Sequence, residues 1–169
     1  MIKYSDIVGE SMVDGTGIRV TAFLQGCPRS CEGCHNPTLQ PLEGGREIEE
    51  KDFAMLLLNK ITPLHKGITF SGGEPFIQGE ALYKVLRYIK KENSHLDIWV
   101  YTGFTFEEIQ ELPLLKFVDV LVDGPFIIEK KDLALPFRGS SNQRIIDVGP
   151  SLKEGKVVEA YEECFASPR

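Results

Sequence analysis

Three of the four cysteines in this chain, Cys27, Cys31 and Cys34, fall within one window of eight residues. Thiolates at this spacing are close enough together to hold one metal centre. A disulfide framework would instead distribute its cysteines through a small secreted domain. The cluster therefore predicts a metal or redox site. Cys164 is remote in sequence and is expected to be a structural or surface thiol.

Three kinds of centre compete for these thiolates. A structural zinc site normally has four ligands, and His35 follows Cys34 too closely for both to bind one ion easily. The run CEGCH also matches the attachment pattern of c-type haem, but haem attachment leaves Cys27 unexplained and requires export. An iron–sulfur cluster uses all three cysteines, and a cubane held by three thiolates keeps one iron open. The spacing therefore favours a cluster at which a small molecule binds iron.

The segments that must position this site alternate in character. Runs rich in β-branched and aromatic residues alternate with runs of helical periodicity, which is the pattern of βαβ units and a mainly parallel sheet. The predicted helices cover residues 48–61, 81–89 and 105–111. The predicted strands are residues 18–24, 67–71, 97–102, 118–122 and 145–148, with a sixth or edge strand at 157–161.

Unusual residues follow the ends of these predicted strands. In parallel α/β folds the carboxyl ends of the strands form the edge at which active sites collect. Each segment alone is also typical of an ordinary turn, since Gly-Gly and Asp-Gly are common turn residues. Together they predict one site at one edge of the sheet. The segments are the cysteine loop, Ser71-Gly72-Gly73-Glu74-Pro75, Tyr101-Thr102-Gly103 and Asp123-Gly124.

Length and composition exclude several other classes. The 169 residues predict a single domain spanning 1–169, and they are too few for a closed eight-stranded α/β barrel, which takes about 250. The net charge of −6 gives no electrostatic footprint for nucleic acid. Apolar runs such as residues 54–58 are far short of the ~20 residues of a membrane helix. The opening MIKYSDIVGE has no signal-sequence pattern, so a cytoplasmic location is expected.

The residues around the cysteines resemble those of a known enzyme family. The run CPRSCEGCHNP is similar to the cluster motif of the radical S-adenosylmethionine (SAM) enzymes. Residues 13–19, VDGTGIR, resemble a segment of the glycyl-radical-enzyme activases, and residues 122–148 look most like the activases of anaerobic ribonucleotide reductase. The resemblance extends from Asp6 to about Val148. It implies an α/β fold, an incomplete (partial) parallel β/α barrel of the radical SAM type with about five to six strands.

The resemblance also assigns roles to individual residues. It implies that Cys27, Cys31 and Cys34 bind a 4Fe-4S cluster and that the Gly-Gly-Glu segment meets the amino group of SAM. The strand-end oxygens of Thr102 and Asp123 are assigned to the ribose hydroxyls, a role that suits hydrogen-bond acceptors. The full set of implied cofactor contacts is Gly33, Cys34, His35, Gly72, Gly73, Glu74, Thr102 and Asp123.

The resemblance also concerns two loops, and the sequence departs from the family pattern at one position. Asp14 lies in the glycine-rich loop before the first predicted strand and is implied to contact the peptide substrate, whereas Arg19 could simply be a surface charge. Residues 138–144, RGSSNQR, are implied to contact the cofactor or the partner, with no role for each residue. Many family members carry an aromatic residue immediately before the third cysteine. Here that residue is Gly33, which excludes an aromatic stack on adenine from this position and leaves only a backbone contact.

The implied reaction needs two partners. An external reductant, of the flavodoxin type, supplies one electron for cleavage of SAM at the cluster. The resulting 5′-deoxyadenosyl radical takes a hydrogen atom from a backbone glycine of anaerobic ribonucleotide reductase. The cofactors carry the hard chemistry, so no catalytic side chain is assigned beyond the cluster ligands. The short chain predicts an open flank that a macromolecular substrate fills.

Three other functions stay open at this point. The chain could activate a different glycyl-radical enzyme, or act on a small molecule as the deazaguanine synthases do. A small substrate needs an enclosing pocket, and no insertion in the sequence would supply a lid. A non-enzymatic electron carrier is the third, but ferredoxin clusters normally take four cysteines.

Overall fold

The computed structural model describes residues 1–160, and Cys164 with its expected role lies outside them. One seven-stranded sheet organises this part of the chain, and its strand order is β3-β1-β2-β4-β5-β6-β7. The strands are β1 (Ile2–Ser11), β2 (Ile18–Leu24), β3 (Arg46–Ile48), β4 (His65–Gly72), β5 (Asp97–Tyr101), β6 (Val120–Asp123) and β7 (Arg144–Asp147). The helices are α1 (Glu50–Leu58), α2 (Gly79–Glu92), α3 (Phe106–Ile109) and α4 (Val148–Glu154).

The centre of the sheet is parallel, as predicted. Strands β2, β4, β5 and β6 pair in parallel, each with the next. The outer strands are antiparallel: β1 pairs with β2, β3 pairs with β1, and β7 pairs with β6. Within residues 1–160, β3 and β7 are the two edges, so the sheet stays open. The expected α/β fold with an unclosed parallel barrel is thereby confirmed.

The strand count differs from the expectation of five to six. Neither β1 nor β3 was predicted from the sequence. Because β1 comes first in the chain, the segment at residues 18–24 is the second strand and not the first. In β1 the exposure alternates along most of the strand, but only Ile2, Tyr4 and Ser11 are buried and several of the other residues are polar. The predicted strand at 157–161 is reduced to an isolated bridge between Ile146 and Glu159, and its last residue lies outside the described part.

Two amphipathic helices cover one face of the parallel strands. Helix α2 buries Leu82, Val85, Leu86 and Ile89, which recur at the three- and four-residue spacing of one helical face. Helix α1 packs beside it and begins only at Glu50, because the preceding residues form β3. No helix among residues 1–160 is long and apolar enough to cross a membrane.

A charged side chain lies inside the molecule on β2. Arg19 is fully buried, so its interpretation as a surface charge is wrong. Its guanidinium donates to the Asp97 carboxylate at 2.8 Å and to the Thr69 hydroxyl at 2.7 Å, and it stacks over the Trp99 ring at 5.3 Å. Backbone carbonyls accept its remaining hydrogen bonds. The two side chains that accept from it, Thr69 and Asp97, lie 50 and 78 residues away in sequence.

Replacing Asp97 with alanine is expected to destabilise the fold by about 3–5 kcal/mol, because a buried guanidinium loses its counter-charge. The Trp99 indole N–H, which donates to the same oxygen at 2.9 Å, also loses its acceptor. Urea denaturation measures the effect. Glu80→Ala removes an 89%-exposed carboxylate and serves as the control, with no measurable change expected. Equal stability of the two variants would contradict a structural role for the Arg19–Asp97 pair.

Candidate active site

The carboxyl ends of the parallel strands open into a cavity of about 1130 Å³. The cavity is lined by residues from all the loops that the sequence singled out, so the expected convergence at one edge of the sheet is confirmed. Asp14, His35 and Thr102 are among the lining residues, whereas Gly33 and Asp123 are not. The other predicted residues that line the cavity are Cys27, Cys31, Cys34, Gly72, Gly73 and Glu74.

The cysteine loop begins immediately after β2 and is held by backbone hydrogen bonds. The Gly26 and Cys27 amides donate to the carbonyls of Leu39 and Gln40 at 2.8 and 2.9 Å. The Cys34 amide donates to the Cys31 carbonyl at 3.2 Å, which closes a turn between the second and third cysteines. The three thiols are half-buried and face one cavity.

Gly33 stands in that turn for a steric reason. Its φ of +71° lies in the left-handed region, which favours glycine. A Cβ at this position would lie 2.7 Å from Cδ1 of Ile128 and 3.4 Å from the Phe126 ring. The loop after β6 thus fills the space that an aromatic residue before Cys34 would need. This packing accounts for the departure from the family pattern.

The donor set fits an iron–sulfur cluster. Within residues 1–160, no three Cys, His, Asp or Glu side chains converge on the position of one metal ion. A cubane does not need ligands that converge on one ion, because each of its thiolates binds a separate iron, and the three thiols here line one cavity. Burial raises the pKa of the Cys27 thiol. Because iron binds the thiolate, loading of the cluster releases protons.

The Gly-Gly-Glu segment is bonded directly to the cysteine loop. The Gly73 amide donates to the Leu24 carbonyl at 2.8 Å, and the Glu74 amide donates to the Gly26 carbonyl at 2.7 Å. A Cβ on Gly73 would lie 2.2 Å from the Gly26 oxygen. Only glycine permits this approach of two backbones, so the segment fixes where the cysteine loop starts.

The carboxylate of Glu74 holds two strand-end loops together. Glu74 is only 1% exposed, and it accepts hydrogen bonds from the Thr102 hydroxyl and the Gly103 amide, both at 2.8 Å. Burial raises the pKa of this carboxyl group. The sequence assigned Glu74 and Thr102 separately to the cofactor, but their side chains bond to each other. Their contacts with a cofactor stay predictions.

Asp123 is engaged in a similar way. Its carboxylate accepts from Arg144 Nη2 at 2.6 Å and from the Phe106 amide at 2.7 Å, and it is 1% exposed. These bonds join β6 to β7 and to the start of α3. The ribose contact of Asp123 stays a prediction with which the observed hydrogen bonds compete.

The remaining predicted residues lie at the mouth of the cavity. Asp14 is half-buried in the turn between β1 and β2, and its carboxylate accepts from the Ser11 hydroxyl at 2.5 Å. The expectation that it precedes the first strand is wrong, because β1 comes before it. His35 is exposed, and its ring centroid lies 5.2 Å from that of Phe126.

Sequence reasoning missed one residue inside the cysteine motif. Arg29 lies between Cys27 and Cys31, stacks over the Phe104 ring at 4.5 Å and approaches the Glu74 carboxylate to 3.9 Å. Its position inside the motif was the available signal. Its partners lie in other loops, so their proximity could not be inferred from spacing.

One family model matches most of the chain. Residues 13–146 match the family described as "4Fe-4S single cluster domain". The chain therefore belongs to the class of single-cluster iron–sulfur domains.

Two relatives show to which family within this class the chain belongs. The chain is 38% identical over 152 residues to the anaerobic ribonucleoside-triphosphate reductase-activating protein of Vibrio cholerae, covering 85% of this chain and 97% of the relative. It is 33% identical over 150 residues to the protein of the same name from Haemophilus influenzae, again covering 85% and 97%. The chain belongs to the family of anaerobic ribonucleoside-triphosphate reductase-activating proteins. Among solved structures, QueE from Escherichia coli is similar over 62% of this chain and 53% of its own, with 17% identity and a TM-score of 0.48.

Proposed function

We propose that this protein is a radical SAM activase that generates a glycyl radical on anaerobic ribonucleotide reductase. The observation that carries the proposal is the bonding of the Gly-Gly-Glu segment to a loop with three cavity-facing cysteines, in a chain of this family. The open cavity supports a macromolecular substrate, because its lining includes Met12 and Val13, which are 72% and 77% exposed.

Each part of the site has a proposed task. Cys27, Cys31 and Cys34 hold a 4Fe-4S cluster, which when bound and reduced supplies the electron that cleaves SAM to methionine and the 5′-deoxyadenosyl radical. The Gly72–Gly73 backbone, free of side chains, offers carbonyl acceptors to the ammonium of SAM. Glu74 and Thr102 keep these loops in register through their mutual hydrogen bond.

The partner completes the site. Asp14, at the cavity mouth, is proposed to accept a hydrogen bond from the peptide that carries the target glycine. Docking of the reductase over the exposed rim would exclude water from the cavity, and exclusion of water protects a reactive radical from side reactions. Because the reaction consumes an electron from outside the complex, we assign that supply to a flavodoxin-type carrier in the cytoplasm.

The proposal is tested with anaerobically reconstituted protein. Reduction in the presence of SAM is expected to yield 5′-deoxyadenosine and methionine. Addition of an anaerobic ribonucleotide reductase is expected to give a glycyl-radical doublet by electron spin resonance. Absence of SAM cleavage would overturn the enzymatic function itself. Cleavage without a glycyl radical on the reductase would overturn the activase function and favour another substrate.

A further inference from the structure

An arginine of the loop between β6 and β7 faces the cavity without a counter-charge. Two arginines line the cavity, and Arg29 already has the Glu74 carboxylate at 3.9 Å and the Phe104 ring beneath it. The other is Arg138, for which no carboxylate of residues 1–160 lies within ion-pair distance.

The guanidinium of Arg138 is held in place but not satisfied. Nη1 donates to the Gln143 carbonyl at 2.9 Å. Like Nε of Arg29, its Nε is buried and has no hydrogen-bond partner among the described residues, but Arg29 has a carboxylate within 4 Å and Arg138 does not. Burying a charged donor without an acceptor costs free energy. An unsatisfied donor of this kind in a binding cavity therefore indicates a position at which a ligand can supply the acceptor.

The backbone leading to Arg138 is strained. Phe137 has a φ of +56°, in the left-handed region that bulky residues rarely adopt, at a cost of about 1–3 kcal/mol. Its ring packs edge-on against Trp99, with the ring centroids 5.5 Å apart. Strain maintained by the surrounding structure is characteristic of functional positions.

The rest of the loop is rigid for a different reason. The side-chain oxygen of Gln143 accepts from the Gly139 and Ser140 amides at 2.9 and 3.2 Å, and its nitrogen donates to the Gly124 carbonyl at 3.0 Å. These bonds tie the loop to the end of β6, at the cavity edge. Arg138 is therefore presented by a preorganised turn, which lowers the entropic cost of binding an anion.

We propose that Arg138 binds the carboxylate of the methionine moiety of SAM. The planar guanidinium fork matches a carboxylate, and such charge-assisted hydrogen bonds are among the strongest in proteins. The α-carboxylate is the anionic group that SAM itself brings into the cavity, whereas its ammonium and sulfonium would be repelled by Arg138. This assignment rests on the proposed function and gives the 138–144 segment a role at one named residue.

A comparison of two ligands tests the assignment. Dissociation constants for SAM and for decarboxylated SAM, which keeps the sulfonium but lacks the carboxylate, are measured by anaerobic equilibrium dialysis on cluster-loaded protein. Arg138→Gln is expected to weaken SAM binding about 10- to 100-fold and to change the binding of decarboxylated SAM little. Arg87→Gln removes the same charge from an exposed position on α2 and is expected to behave as the unaltered protein.

The outcomes distinguish failure of the Arg138 assignment from failure of the proposed radical SAM function. If Arg138→Gln leaves the ratio of the two dissociation constants unchanged, Arg138 does not bind the carboxylate, even though SAM still binds. If the unaltered, cluster-loaded protein binds neither ligand, the proposed function fails as well. Arg138→Lys keeps the charge without the fork, and its ratio is expected to lie between those of the Gln variant and the unaltered protein. It provides the same comparison if the Gln variant fails to fold.

Discussion

Cys31→Ala is expected to reduce the iron and sulfide content of reconstituted protein to the level of a sample that received no iron. A cubane with only two remaining protein thiolates has lost one of its three attachments and the geometry that leaves a single iron open. The backbone is not at fault in this variant, because the Cys34 amide donates to the carbonyl of residue 31 and alanine retains that carbonyl. The loss therefore reports on the thiolate alone.

The measurement combines iron and sulfide analysis with the visible absorbance of the cluster and the spin resonance signal of its reduced form. Cys164→Ala is the matched control, since this cysteine lies far from the motif in sequence, and full cluster content is expected. Zinc analysis of the unaltered protein addresses the alternative of a zinc centre. A full cluster in Cys31→Ala would show that the ligand assignment is wrong.

The parallel centre of the fold was predictable because its signals are local. Strands β2, β4, β5 and β6 each contain a short run of buried, mostly apolar or β-branched residues, and α2 carries its four buried residues at helical spacing. The convergence of their following loops then follows from chain topology alone. The outer strands were not predictable in this way. β1 is polar over much of its length, and β3 has only three residues, so pairing with neighbours defines both.

Hydrogen bonds between side chains could not be predicted from the sequence for a related reason. Glu74 and Thr102 each carry an oxygen at the end of a strand, and the motif pattern assigns both to a ligand. Their hydrogen bond joins positions 28 residues apart, and no local sequence pattern predicts it. The same holds for Arg19 and Asp97, which are 78 residues apart. Residue type identified the site, whereas the three-dimensional contacts decided which groups support the loops.

At Gly33 the structure explains a departure that is visible in the sequence. The sequence showed that an aromatic residue is missing before Cys34, and the structure shows that Phe126 and Ile128 occupy the neighbouring space. The loop after β6 therefore contacts the cysteine loop through the position that glycine leaves open. This contact links the segment that carries Arg138 to the cysteine loop.

Gly73→Ala is expected to prevent both normal cluster loading and normal stability, although it touches no cysteine. A Cβ would lie 2.2 Å from the Gly26 oxygen and 2.7 Å from the Gly26 carbonyl carbon, and both are backbone atoms that cannot rotate away. Relief requires the ends of β2 and β4 to separate. That separation breaks the hydrogen bonds from the Gly73 and Glu74 amides that fix the start of the cysteine loop. Overpacking of this kind costs about 1–3 kcal/mol, with further loss from the two hydrogen bonds.

Iron content and the urea midpoint of the apoprotein together distinguish this effect from loss of a ligand. Gly73→Ala is expected to lower both, whereas Cys31→Ala lowers iron content but leaves the apoprotein midpoint near that of the unaltered chain. Gly9→Ala is the matched control, because no atom outside its chain neighbours lies within 4 Å of its added Cβ and its φ is not positive. In β1 this change is expected to leave iron content intact and to raise stability by about 0.5–1 kcal/mol. A Gly73→Ala protein with full iron content and an unshifted midpoint would mean that the contact between the two backbones does not position the cysteine loop.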